Sequence, residues 1–253
     1  MHMEFHFSCS SLSLPPLASL LEALTGHFDG WQIVAEGKHE MQRLAGEFAD
    51  VAGSYDLKYS VHLPMSDVNI ASMNRRIRSA SISESAEAMR LAAGLGILTF
   101  VVHAGTHSVL SSGNGERAFL LAREGVKTLA VLSKSMGAEL LVENTPAVSG
   151  SVAPTAKLMR SLMAGLPVGL CLDVAHASIG GELSGFQTMQ DRIRMVHLSD
   201  NDGYSDTHLS IGTGKVARAE ILSAISAVGA PVVIEARSME DAISGKKYVE
   251  SVQ

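Results

Sequence analysis

Eight short apolar or β-branched runs recur along the chain with helical patterns between them, and this alternation limits the fold more than any other feature. The runs lie at 2–8 (HMEFHFS), 31–36 (WQIVAE), 58–63 (KYSVHL), 97–103 (ILTFVVH), 139–144 (ELLVEN), 168–173 (VGLCLD), 193–198 (IRMVHL) and 231–236 (PVVIEA). Strands separated by helices pair in parallel. Eight such units in 253 residues predict an α/β fold, a (β/α)8 TIM barrel, as one domain over 1–253. A doubly wound open sheet is the second architecture, but the glycine-rich dinucleotide fingerprint after the first strand is missing.

The intervening patterns agree with helices packed on a sheet. Within 116–136, residues Ala118, Leu121, Ala122, Gly125, Leu129, Leu132 and Met136 share one helical face, and Gly137 supplies a left-handed cap. A shorter pattern at 83–94 opens on a Ser cap and ends at Gly94. The most apolar stretch, 91–102, is too short and glycine-broken to span a membrane. The sequence MHMEFHFSCS lacks a basic segment followed by an apolar one, so no secretory signal is expected. The cysteines, Cys9 and Cys171, read as reduced thiols of a cytoplasmic protein. A net charge of −6 gives no general attraction to nucleic acid or membrane.

Chemistry enters at the ends of the strands. Active sites of such barrels sit at the C-terminal ends of the strands. The third strand ends near His62, the fourth at His103 and the fifth near Glu143. The sixth ends at Asp173, with His176 just beyond, and the seventh near His197, whose following loop holds Asp206 and His208. The eighth ends near Glu235. A single carboxylate such as Asp173 at the end of a buried strand needs a local hydrogen-bond partner or a cation. Four carboxylates and five imidazoles on one rim are costly to desolvate without cations among them. Mixed imidazole and carboxylate suits Zn²⁺, Mn²⁺, Co²⁺ or Fe²⁺ better than Ca²⁺ or Mg²⁺, and Zn or Mn, as one to three ions, is the expected cofactor.

The series VHLPMSDVNIAS, VVHAG, LLVENT, LCLDVAHA, MVHLSDNDG, DTHLSIGTG and VVIEAR resembles, in order, the xylose isomerase-like TIM-barrel superfamily. That group includes sugar and sugar-phosphate isomerases and epimerases, and endonuclease IV. The epimerase branch implies one divalent metal on Glu143, Asp173, His197 and Glu235, with Glu143 and Glu235 exchanging a proton with the carbon of a bound ketose. His176 and Glu36 are then expected to meet sugar hydroxyls. The endonuclease branch implies three zinc ions. One would sit on His62, His103 and Glu143, a second on Glu143 (bridging), Asp173, His197 and Glu235, and a third on His176, Asp206 and His208. The reaction would be phosphodiester hydrolysis beside an abasic site, with DNA as partner.

Three features weigh on the choice. The loop after the third strand carries Met65 and Ser66 where the nuclease pattern has an aromatic wedge. Arg75, Arg76 and Arg78 form the one basic cluster, read as a solvated helix face. IGTGK at 211–215 resembles a phosphate cradle, in which Lys215 would meet an anionic substrate. The leading expectation is a metal-dependent isomerase or epimerase of a sugar or sugar phosphate. Abasic-site cleavage follows, and a non-catalytic metal-binding barrel is third.

Overall fold

The computed structural model of the protein describes residues 3–9, 16–111, 113–226 and 229–252. Its strands are β1 (Phe5–Cys9), β2 (Gly30–Val34), β3 (Lys58–His62), β4 (Thr99–His103), β5 (Glu139–Glu143), β6 (Gly169–Asp173), β7 (Ile193–Leu198) and β8 (Val232–Ala236). They pair in parallel in chain order, and β8 closes on β1. All eight expected runs therefore overlap a strand of a closed (β/α)8 barrel, β1 and β2 each reaching one residue outside the expected run. The first expected run starts at residue 2, which lies outside the described residues.

The helices are α1 (Leu17–Thr25), α2 (Met41–Val51), α3 (Arg75–Gly94), α4 (Gly115–Ser135), α5 (Ala156–Met163), α6 (Val174–Ile179), α7 (Leu183–Gln187), α8 (Arg218–Ser226) and α9 (Met239–Val252). Helix α4 matches the expected face, and Gly137 takes φ 67°, the left-handed cap anticipated for it. Helix α3 corrects the expectation, because it starts at Arg75 and not at residue 83. Asn74 caps it, its side chain accepting from the N–H groups of Arg76 and Ile77. Among the described residues, no helix is long and apolar enough to cross a membrane.

Period-2 alternation divides each strand between two environments. Phe7, Trp31, Ile33, Val61, Phe100 and Leu172 face the helices in the main apolar core. Each such side chain contributes about 1.5–3 kcal/mol on burial. Residues between them point into the barrel. The strand registers sort these inward residues into layers of four drawn from alternate strands. At the C-terminal mouth lie Val34, His103, Asp173 and Glu235. Below them come Ser8, His62, Glu143 and His197, then Gln32, Val101, Cys171 and Val233, and then His6, Ser60, Leu141 and Met195. Seven of the eight side chains in the upper two layers are polar.

Candidate metal centre

All nine residues singled out as ligands converge at the mouth. Glu143 is the hub: its Oε2 lies 3.0 Å from His62 Nε2, 3.4 Å from His103 Nε2 and 3.4 Å from His197 Nδ1, and its Oε1 lies 3.3 Å from His176 Nδ1. Glu235 Oε1 is 3.2 Å from His197 Nδ1. Asp206 joins His176 Nε2 at 3.0 Å to His208 Nε2 at 3.1 Å. Among the described residues, five groups have ligand atoms close enough to share an ion, and three of them, His62–His103–Glu143, Asp173–His197–Glu235 and His176–Asp206–His208, together take in all nine ligand candidates.

The hydrogen-bond chemistry of the rings fits a cation. Nδ1 of His62 faces the Leu63 carbonyl at 2.9 Å, and Nδ1 of His176 faces the Asn144 carbonyl at 2.9 Å. A carbonyl only accepts, so both Nδ1 atoms carry a proton, and whenever either ring is neutral it turns a bare Nε2 toward a carboxylate oxygen. Two acceptors in contact repel unless a proton or a metal ion lies between them. This is the usual outer support of a metal-bound imidazole. Asp173 Oδ2, His176 Nε2, both nitrogens of His197 and His208 Nε2 are buried without a hydrogen-bond partner. Atoms bound to one zinc-sized ion lie roughly 3.2–3.6 Å apart, close to the separations seen here.

The electrostatics point the same way. Burial works against charge on His62, His176 and His197, yet neighbouring acidic groups overcome it and hold all three rings above their ordinary pKa. For His62 the main attraction is Glu143, and for His176 it is Asp173. For His197 it is the Cys171 thiol, followed by Glu235 and Glu143. Burial also raises Glu143, but His197 and His103 outweigh it and hold the carboxyl well below the usual range. Burial pushes Asp173 up to about 8. The negative potential that draws protons onto these rings favours a divalent cation in their place.

Asp173 answers both halves of the sequence-based alternative. One carboxylate oxygen caps α6 by accepting the His176 N–H at 2.6 Å, and the other stays unpaired beside the His176 ring. Asn144, which the sequence did not single out, fixes its backbone. The Asn144 side chain donates to the Asp173 carbonyl at 2.9 Å and accepts the Asp173 N–H at 2.8 Å.

Two substrate-binding expectations change. Glu36 spends both carboxylate oxygens within the chain, accepting the N–H groups of Met65 and Ser66 and the Ser66 hydroxyl. It clasps the loop after β3. The phosphate cradle is also filled from within. Asp200, fully buried, accepts from the N–H groups of Asn201 (2.9 Å), Gly212 (3.0 Å), Gly214 (2.9 Å) and Val216 (2.9 Å). A Cβ at Gly214 would strike the Asp200 carboxylate, which explains the glycine there. Lys215 stays exposed at the edge of this turn. The wrapped turn also fixes the loop that delivers Asp206 and His208, because Asp200 and Leu209 bridge its two ends.

Comparison with known proteins places these residues in a wider group. Residues 18–253 match the model of the family described as xylose isomerase-like TIM barrel. The Methanocaldococcus jannaschii protein MJ1311 is 28% identical, the alignment covering 98% of this chain and 89% of that one. A probable endonuclease 4 of Mycobacterium leprae is 27% identical across 74% of this chain and 76% of its own. The crystal structure of a D-tagatose 3-epimerase-like protein superposes with a TM-score of 0.87 at 26% identity, covering 99% of this chain and 97% of that one. The barrel, its ordered rim of ligand-type residues and the near full-length match agree, and the chain belongs to the xylose isomerase-like TIM barrel family.

Proposed function

We propose that the protein is a cytoplasmic, divalent-metal-dependent isomerase or epimerase of a sugar. The observation that carries this reading is the pairing of Glu143 and Glu235 on one imidazole nitrogen, His197 Nδ1, at 3.4 and 3.2 Å. Two carboxylates that converge from β5 and β8 on one point suit a reaction in which a proton leaves one face of a carbon and returns at the other. Glu143, held ionised by its histidines, is the stronger candidate to receive the proton from carbon. Glu235, at the mouth, returns one. A divalent ion, when bound by Glu143, Asp173, His197 and Glu235, polarises a carbonyl and makes the adjacent C–H more acidic. Zn²⁺ or Mn²⁺ suits that donor set.

An unphosphorylated sugar is preferred over a sugar phosphate, because within IGTGK the N–H groups of Gly212 and Gly214 are spent on Asp200 and those of Thr213 and Lys215 on the carbonyls of Ser210 and Asn201. The overall likeness to the D-tagatose 3-epimerase-like protein supports a sugar substrate. The nuclease reading draws on the completeness of the His176–Asp206–His208 group and on the endonuclease 4 relative. Against it stands the aromatic-free loop after β3, bound back by Glu36. The test is to offer metal-loaded protein a panel of ketoses and, separately, an abasic duplex at low salt, where phosphate contacts are strongest. Ketose conversion without incision is expected. Incision without conversion would overturn the proposal.

A further inference from the structure

Below the two ligand-bearing layers the barrel interior is polar on one side only. Its apolar part, Val101, Leu141, Cys171, Met195 and Val233, forms a separate cluster on β4 to β8. On β1, β2 and β3 the inward residues other than Val34 and the ligand candidate His62 include His6, Ser8, Gln32 and Ser60, all buried with 4%, 1%, 0% and 2% exposure. Each presents a polar atom without a hydrogen-bond partner: His6 Nδ1, Ser8 Oγ, Gln32 Oε1 and Ser60 Oγ. The registers place them on neighbouring strands, with Gln32 opposite Ser60, and Ser8 opposite Glu235.

Their chemistry selects the ligand. His6 Nε2 lies 2.6 Å from the Glu4 carboxylate and donates to it, so Nδ1 is a bare acceptor. Gln32 donates one amide N–H to Met195 Sδ at 3.1 Å across the interior, and its Oε1 stands as a second acceptor. Two neutral acceptors and two hydroxyls match neither an anion nor a metal ion. They match a small neutral molecule that both donates and accepts. A buried water needs two to four polar partners, and a native interior rarely leaves so many neighbouring groups unpaired.

We infer that the β1–β2–β3 side of the barrel is a hydration site, a file of internal waters held by His6, Ser60, Gln32 and Ser8. It runs from Glu4, near the N-terminal end, up to the layer that Ser8 shares with His62, Glu143 and His197. Gly30 makes room for the His6 ring itself, since a Cβ there would lie 2.7 Å from it. At its upper end the file reaches Ser8, whose register neighbour on β8 is Glu235. The inference is independent of the reaction proposed above.

High-resolution crystals of the wild-type protein, with and without zinc, provide the first test. Ordered waters bridging these four groups are expected in both forms. In solution, long-lived water should show cross-relaxation to the methyl groups of Val101 and Val233, which share the Gln32 layer. Ser60→Ala, two layers below the ligands, should lose the water nearest that position. It should also lower Tm, because the remaining groups lose a partner. Direct hydrogen bonds among the four side chains with no water between them would overturn the inference. So would an unchanged or raised Tm in Ser60→Ala. If that variant fails to fold, the wild-type water signals decide alone.

Discussion

Asp200 shows how one side chain can organise a loop. Its buried charge is met by four main-chain N–H groups, and charge-assisted bonds of this kind are among the stronger ones in proteins. Removing the carboxylate leaves several buried donors unpaired, at about 1–3 kcal/mol each. Asp200→Ala should therefore destabilise the protein by roughly 3–5 kcal/mol in denaturant unfolding, and Asp200→Asn by less. A loss below about 0.5 kcal/mol for the alanine variant would mean that water replaces the carboxylate without cost. The glycine-rich turn also marks a limit of sequence reading. A ring of amides built for an anion looks the same in sequence whether the anion is a ligand or a side chain nearby. Only the fold brings Asp200 inside the turn. Ser8, Gln32 and Ser60 were illegible for a related reason, since isolated polar residues in short strands carry no sign of which face they take.

Secondary structure was legible where periodicity was strong and obscured where local preference opposed it. Each strand was marked by a short apolar or β-branched run between turns, and α4 by an unbroken apolar face. The start of α3 was hidden because Arg75, Arg76 and Arg78 occupy its first turn, where positive charge opposes the helix dipole. The Asn74 cap offsets that by binding two of the free N–H groups. Asn74→Ala should cost about 1 kcal/mol, read as a shift in the unfolding midpoint with an unchanged slope. No shift would show that packing of the later turns alone sets where α3 begins. The ligand-type residues themselves were legible, because parallel strands with helical connections bring all eight strand ends to one rim. Which of them share an atom pair required the register, and the central position of Glu143 came from that.

For the molecule as a whole, stability should depend on pH and metal together. In metal-free protein, His62, His176 and His197 hold their protons above the ordinary range. Their stabilising contribution is complete below about pH 6.5 and fades as pH rises through the folded values. Asp173, raised to about 8, acts in the same direction: its folded-state preference for the proton costs stability as pH climbs from about 4 toward 8. Glu143 and Asp206 are lowered and act only at acid pH, outside that window. Metal-free protein should therefore lose Tm between pH 6 and pH 8 by about the range over which these groups deprotonate. Metal-loaded protein should gain Tm over the metal-free form, most at the alkaline end, because an ion that binds only the folded state stabilises it by mass action. Identical melting curves with and without metal across that range would remove the case for a held ion. The central claim, that Glu143 and Glu235 move a proton at carbon, is tested most directly by solvent deuterium appearing in a ketose next to its carbonyl. Wild-type protein loaded with Zn²⁺ or Mn²⁺ should incorporate deuterium. Glu143→Gln and Glu235→Gln, checked for metal content, should slow it by at least about 100-fold. Incorporation at the wild-type rate in both metal-loaded variants would contradict the account.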